Sequence, residues 1–304
     1  MTEDDLQALA PWLARRSQAS QRLAVQPARA LAATLDLPAP AAWSEGQALP
    51  PLWHQLYLHA LTPSAQLGED GAPLRGSDGG DEDSGDSLMP PIALPQVMWA
   101  GADFHWQRPL YLGEVAQRRS RIADMQLKAG RRGPMVFVSW EHQWSQHGRL
   151  AFTEIDRAVF LGPDSAATSS AAAPPPTPPE WAQEWRTPVD EARLFRFSAL
   201  TFNSHRIHYD LPYARGVAGY PALVVHGPLQ ALLIAEAWRR WQPGRPLSRL
   251  TLRARAPLFL GRFDAQGVHA RAQAPGPEGT RLWTCGSDGQ PCMEATLHGS
   301  ATPD

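Results

Sequence analysis

Asparagine and lysine are almost missing from this chain: among 304 residues, Asn203 and Lys128 are the sole representatives of their types. The scarcity reads as compositional bias, and it leaves nearly all cationic work to arginine. Cysteine is scarce too. Cys285 and Cys292 are too few for a disulfide framework or, by themselves, a zinc site, which fits a reducing compartment. There is no excess of positive charge. With 28 basic against 30 acidic residues and a net charge of −2, nothing in the electrostatics asks for a nucleic-acid or anionic-membrane partner. A long unbroken apolar run is also lacking: "YPALVVHGPLQALLIAEAW" is interrupted by His226, Pro228, Gln230 and Glu236, and reads as a buried helix and its entrance, not a membrane span. The opening "MTEDDLQALA" is acidic, whereas export signals need a basic segment followed by an apolar one, so a cytoplasmic location is expected.

What is present is enough apolar residue, 43%, to bury a substantial core. Two low-complexity stretches organise the rest. Residues 68–86, "GEDGAPLRGSDGGDEDSGD", are acidic and Gly-rich and read as a solvated loop, having nothing apolar to offset the ordering entropy. Residues 162–180 form a Pro/Ala/Ser linker between a first half, 1–161, and a second, 181–304. The halves share a pattern: "RPLYLGE" at 108–114 and "APLFLGR" at 256–262 each follow an alternating, strand-like run. Each half then has a Gly turn leading into a strand with a glutamate, "GRLAFTEIDRAVF" and "GQPCMEATLHG". Order and context favour duplication of one α+β unit. Two unrelated strand–turn pieces are the alternative.

The densest chemistry lies in "TFNSHRIHYD", 201–210, which holds two histidines, an arginine, a tyrosine, an aspartate and the single asparagine. The preceding "RLFRFSALTF" alternates as a strand does. The following "HGPLQALLIAEAWRRW" has helical spacing, with Pro228 in the first turn, where its missing N–H costs nothing. Gly227 then offers backbone N–H at the mouth of a buried helix, a place that favours a carbonyl oxygen developing negative charge.

"FSALTFNSHRIHYD" followed by "YPALVVHGPL" resembles the MaoC-like hydratases and dehydratases of the hot-dog fold, particularly the 3-methylfumaryl-CoA (mesaconyl-CoA) hydratases and 3-hydroxyacyl-thioester dehydratases. "LPPLWHQLYL", "MWAGADFHWQRPLYLGE" and "RSRIADMQLKAGRRGPMVFVSWEHQ" resemble the amino-terminal half of the same enzymes. The resemblance implies an α+β double hot-dog: two units, each a long central helix wrapped by a curved antiparallel sheet, with an acyl thioester between them. It implies His208 as catalytic histidine and Gly227 as oxyanion donor, with no cofactor beyond the CoA carried by the substrate. Asn203 stands where many members have a catalytic aspartate, a departure that shifts the proton work onto His208. Hydration of an enoyl thioester needs a base for water, an acid for Cα and donors for the enolate oxygen. A neutral-range histidine can serve as both base and acid, while Asn203 orients water but takes no proton.

The neighbours have plainer readings beside functional ones. His205 and His226 are substrate contacts or buried donors shaping the loop; a metal held by His205, His208 and His226 lacks a clustered carboxylate or cysteine, and no metal is expected. Arg206 suits a substrate carboxylate or loop carbonyls, with Arg119 and Arg121 as rivals. Tyr209 and Tyr213 contact substrate or pack, and Asp210 pins the loop through an Asx-type bond. The function expected is a hydro-lyase acting on mesaconyl-CoA or itaconyl-CoA to give citramalyl-CoA. A hot-dog thioesterase and a non-catalytic acyl-CoA-binding module are the alternatives, and a homodimer is left open.

Overall fold

The computed structural model describes residues 1–38, 40–74, 88–130, 133–162, 182–261, 268–274, 276, 279–286 and 289–300. Most of the acidic stretch and all but the first residue of the Pro/Ala/Ser linker lie outside these. Helix α1 (Glu3–Gln7) and strand β1 (Arg16–Arg22) precede α2 (Val25–Thr34). Four long strands follow: β2 (Gln96–Trp106), β3 (Val115–Gly130), β4 (Gly133–Gln146) and β5 (Arg149–Leu161). The second half runs β6 (Gln183–Thr187), α3 (Glu191–Leu200), α4 (Leu211–Gly216), α5 (Gly227–Trp241), β7 (Leu247–Ala254), β8 (Val268–Ala272), β9 (Thr280–Cys285) and β10 (Pro291–Gly299).

The ten strands form one sheet in the order β1-β3-β4-β5-β2-β7-β10-β9-β8-β6, with every pairing antiparallel. Counted inward from either edge, the first, third, fourth, fifth and second strands of each half follow one another. "RPLYLGE" and "APLFLGR" thus begin just after β2 and β7, which occupy equivalent places and pair with each other from Gly101↔Arg253 to His105↔Arg249. Gly101 has φ +142°, and a Cβ there would collide with the carbonyl oxygen of Leu252, so the seam needs glycine at that position.

Helix α5 is buried continuously from Leu229 to Trp238 and packs on β8, β9 and β10. Its polar residues are satisfied: Gln230 accepts from Thr284 Oγ1 at 2.7 Å, and Glu236 accepts from Trp53 Nε1 of the first half at 3.0 Å and from Arg239. One core runs through both halves, while a second cluster, including Ile122, Val136, Trp140 and Phe160, fills the far end of the first.

Two expectations need correction. "RLFRFSALTF" is not a strand but lies in α3 and the residues just after it. Its buried residues Arg193, Leu194, Phe197 and Ser198 fall at helical spacing, and Asp190 caps the first turn by accepting from the Arg193 amide at 2.8 Å. Among the described residues, a long central helix belongs to the second half alone. Between β1 and β2 the first half has the ten-residue α2 and 3₁₀ turns, including Trp53–Leu56. There "PPLWHQLYL" buries Leu52, Trp53, Leu56 and Tyr57, but Leu52 at φ +68° and the extended Tyr57 bound the turn on either side.

Candidate active site

After α3 the chain turns sharply. Phe202 sits at φ +51°, and the Asn203 amide returns to the Ser198 carbonyl at 2.8 Å. The Asn203 side-chain oxygen accepts from the His205 amide at 3.0 Å, closing an Asx turn in which the NH₂ takes no part. A 3₁₀ turn, Arg206–His208, then delivers His208 into the interior, 7% exposed.

His208 Nδ1 lies 2.7 Å from the carbonyl oxygen of Val224, an acceptor only, so Nδ1 carries the proton and Nε2 the lone pair. Burial pushes its pKa down to about 4, against the Val224 bond and with help from nearby His205. His208 is therefore neutral at pH 7. Its ring stacks on His226 with centroids 3.7 Å apart, and His205 meets it edge-on at 5.6 Å. His226 is fully buried, pairs through Nε2 with Ser198 Oγ at 2.8 Å, and is driven down to about 2 by burial and then by His208 and His205.

His226 is also the N-cap of α5, so the stack sets His208 beside the helix entrance. Gly227 is the first helical residue and Pro228 the next, so the Gly227 amide lacks an intrahelical acceptor and directly follows the stacked His226 in the chain. Facing it is a first-half side chain that the sequence reading did not single out. A Cβ on Gly227 would lie 3.2 Å from Cε3 of Trp99, whose indole N–H donates to Asp156 Oδ1 at 2.6 Å.

Asp156 belongs to a polar group on the inner face of the first-half sheet. His54 Nε2 lies 3.3 Å from Glu154 Oε2, and His142 pairs with Ser120 Oγ at 2.7 Å. Burial opposes ionisation of Glu154, but His54, His142 and Arg118 outweigh it and hold the carboxyl near 2. Burial and the Glu154 charge raise Asp156 to about 7. A signal existed: in "FTEIDRAVF" the period of two places Glu154 and Asp156 on the face of Phe152, Ala158 and Phe160, all buried.

The remaining predicted residues form the rim. Arg206 bonds Asp210 through Nε (3.0 Å) and Nη2 (2.7 Å) and the Glu69 carbonyl through Nη1 (3.0 Å), and its guanidinium lies over Tyr213. Three of its N–H groups thus clamp the loop. Arg121 is paired with Glu141 and Arg119 reaches Gln18, both on the opposite face of β3 from Arg118. Asp210 also caps α4, accepting from the Tyr213 amide at 3.0 Å. Tyr209 is exposed and donates to the Ser204 carbonyl at 2.9 Å.

The start of the acidic stretch docks here. Arg206 N donates to the Asp70 carbonyl at 2.8 Å and Ser204 Oγ to that of Gly71 at 2.6 Å; with Gly71 at φ +79°, a Cβ would strike the Ser204 carbonyl. Residues 68–74 are thus strapped to the histidine loop, not merely solvated.

The histidines dictate an acid response. His59, His142, His205, His208 and His226 are all lowered by burial from 6.5, so each takes up its proton more readily when unfolded. Stability from these groups is complete above pH 6.5 and falls as the pH drops toward 4. Asp156 opposes them, since its raised pKa lets the native state hold a proton that the unfolded chain releases. Five groups outweigh one, and the thermal midpoint should fall on acidification from pH 7 to 4.5. A flat midpoint across that range would show that these histidines are not held neutral.

Among the described residues no helix is long and apolar enough to cross a membrane, and no group of three His, Cys, Asp or Glu is placed to hold a metal ion. The profile of the family "Hydroxyacyl-thioester dehydratase type 2" matches residues 52–260. The chain is 40% identical over 272 residues to mesaconyl-C(4)-CoA hydratase of Chloroflexus aurantiacus, covering 87% of this chain and 92% of that protein. Among solved structures, HtdX of Mycobacterium tuberculosis aligns with TM-score 0.61 at 19% identity, over 94% of this chain and all of that one. A conserved M. tuberculosis protein with a double hotdog fold aligns with TM-score 0.52 at 12% identity, over 92% and 93% of the two chains. The fold is the double hot-dog, and the chain belongs to the hydroxyacyl-thioester dehydratase type 2 family.

Proposed function

We propose that this protein is a hydro-lyase that reversibly adds water across the double bond of a short branched enoyl-CoA, mesaconyl-CoA or itaconyl-CoA, to give citramalyl-CoA. The observation that carries the reading is the neutral His208, its Nε2 lone pair available, one stacked ring from the unbonded amide that opens α5. The similarity to the Chloroflexus aurantiacus hydratase supports the acyl group.

In this mechanism, written for mesaconyl-CoA (itaconyl-CoA would first become mesaconyl-CoA by losing a proton from Cα and gaining one at its methylene carbon), the thioester oxygen lies on the Gly227 N–H, which draws electron density from Cβ. A water held by the Asn203 NH₂ gives a proton to His208 Nε2 as its oxygen bonds to Cβ. The π electrons move onto the thioester oxygen as an enolate, and the His208 N–H then protonates Cα, so one water is consumed and His208 returns to neutral. His205 and His226 shape the acyl end, and Arg206, Tyr209 and Tyr213 hold the rim. No cofactor enters beyond the CoA of the substrate.

The test is a panel of enoyl-CoA thioesters, with mesaconyl-CoA followed by loss of its conjugated thioester absorbance and itaconyl-CoA, whose double bond is not conjugated with the thioester, followed by chromatographic detection of citramalyl-CoA. Hydration of mesaconyl-CoA or itaconyl-CoA is the expected result; release of free CoA, read with a thiol reagent, would replace the proposal with a thioesterase, and no turnover with a binding module. Asn203→Ala should lower the rate about 10- to 100-fold, because it removes positioning and not the base. Asn203→Asp keeps the oxygen that accepts from the His205 amide and should retain partial activity with an altered pH profile. Wild-type rates in Asn203→Ala would remove Asn203 from the site.

A further inference from the structure

Trp99 is one of five partly buried indoles packed on the main core, with Trp43, Trp106, Trp185 and Trp241, and it is placed against the start of α5. Trp53, Trp144 and Trp238 are fully buried core, whereas Trp99 is only partly buried and lies at an irregularity in β2, where the register with β5 shifts between Trp99 and Gly101. The extra residue of a bulge re-aims a side chain. Here the indole's six-membered ring rests on Gly227 while its N–H is fixed to Asp156 at 2.6 Å. An indole has two side-chain torsions, so one hydrogen bond and one packed face leave it little freedom. Gly227 is thus packed against a fixed indole plane carried by the other half of the molecule.

We infer that Trp99 is the specificity-determining wall of the acyl site, held in place by Asp156 as a positioning residue, and that it admits compact acyl groups of four or five carbons while excluding linear chains of six or more. The inference rests on the proposed thioester site, because it takes Gly227 as the point where the carbonyl oxygen binds. Core indoles are anchored too, Trp53 on Glu236 and Trp238 on the Arg245 carbonyl; Trp99 combines such an anchor with partial exposure and contact with the first residue of α5. Asp156 is a costly partner for that purpose, since the inner-face carboxylate Glu154 opposes its ionisation.

The test uses full-length protein and saturated acyl-CoAs, so that binding is read without turnover. Calorimetry with butyryl-CoA and octanoyl-CoA should show the shorter thioester binding at least about tenfold more tightly to the wild-type protein, the scale on which a packed apolar pocket discriminates. In Trp99→Ala the ratio should collapse to near unity. Asp156→Leu, which leaves the indole but removes its anchor, should fall between, and Asp156→Asn, which keeps an acceptor, should stay near wild type. Should Trp99→Ala not fold, Trp99→Leu and Asp156→Leu carry the same comparison.

An unchanged ratio in folded Trp99 variants, or no length preference in the wild-type protein, overturns the wall. A wall that behaves as stated in a protein that hydrates no enoyl-CoA overturns the hydratase reading alone. Failure of the wild-type protein to bind either thioester overturns both.

Discussion

His208→Ala should lower the hydration rate by about 10²- to 10⁴-fold, the contribution of one well-placed acid–base group, with the larger end expected because the same ring handles both protons. The loss should fall on kcat and not on KM, since the thioester's own contacts at the helix entrance are untouched. The variant also removes the ring stacked on His226 at 3.7 Å, so a thermal midpoint must accompany the rate to separate lost chemistry from lost packing. Near-normal hydration in folded His208→Ala would mean that another group carries the proton. Asp210 is the next candidate in the loop, but its carboxylate already accepts from the Tyr213 amide and Arg206, which lower its pKa and make it a weak base.

Gly227→Val is expected to cost about 10²- to 10³-fold in kcat, as for loss of one preorganised oxyanion donor. The structure refines why. The new Cβ would sit 3.2 Å from the Trp99 ring, so valine both crowds the amide and pushes the indole away. A double-mutant cycle separates these: if the amide matters, Gly227→Val remains severe in a Trp99→Ala background, whereas a purely steric effect is relieved there. Wild-type turnover in folded Gly227→Val would remove this amide from the mechanism.

The sequence showed the second half's site well and the first half's poorly, for a physical reason. Helix α5 announces itself by a long apolar run, and its Pro228 start is a local signal that tertiary structure need not supply. In α3, "RLFRFS" satisfies both a period of two and a period near four, and only the Asp190 cap decides between them. Trp99 and Asp156 come together across the strand pair from 57 residues apart, and neither is unusual by itself. The strap is another long-range event: Gly71 reads as part of a polar, low-complexity run until the Ser204 carbonyl is seen against it.

The β2–β7 ladder joins the halves through backbone pairing along five residue pairs, and Trp99 and Gly227 sit on opposite sides of it. Rotating one half against the other would break that ladder, so Trp99 and Gly227 cannot swing apart as residues of hinged domains do. Entry and exit of a thioester then depend on the periphery: the strap 68–74 and the loop 201–210, tied by a handful of contacts between carbonyls, amides and one guanidinium. Local opening of such a rim costs far less than unfolding the sheet, which makes this a rigid frame with a yielding edge, and the loop that bears Asn203 and His208 belongs to that edge and not to the frame.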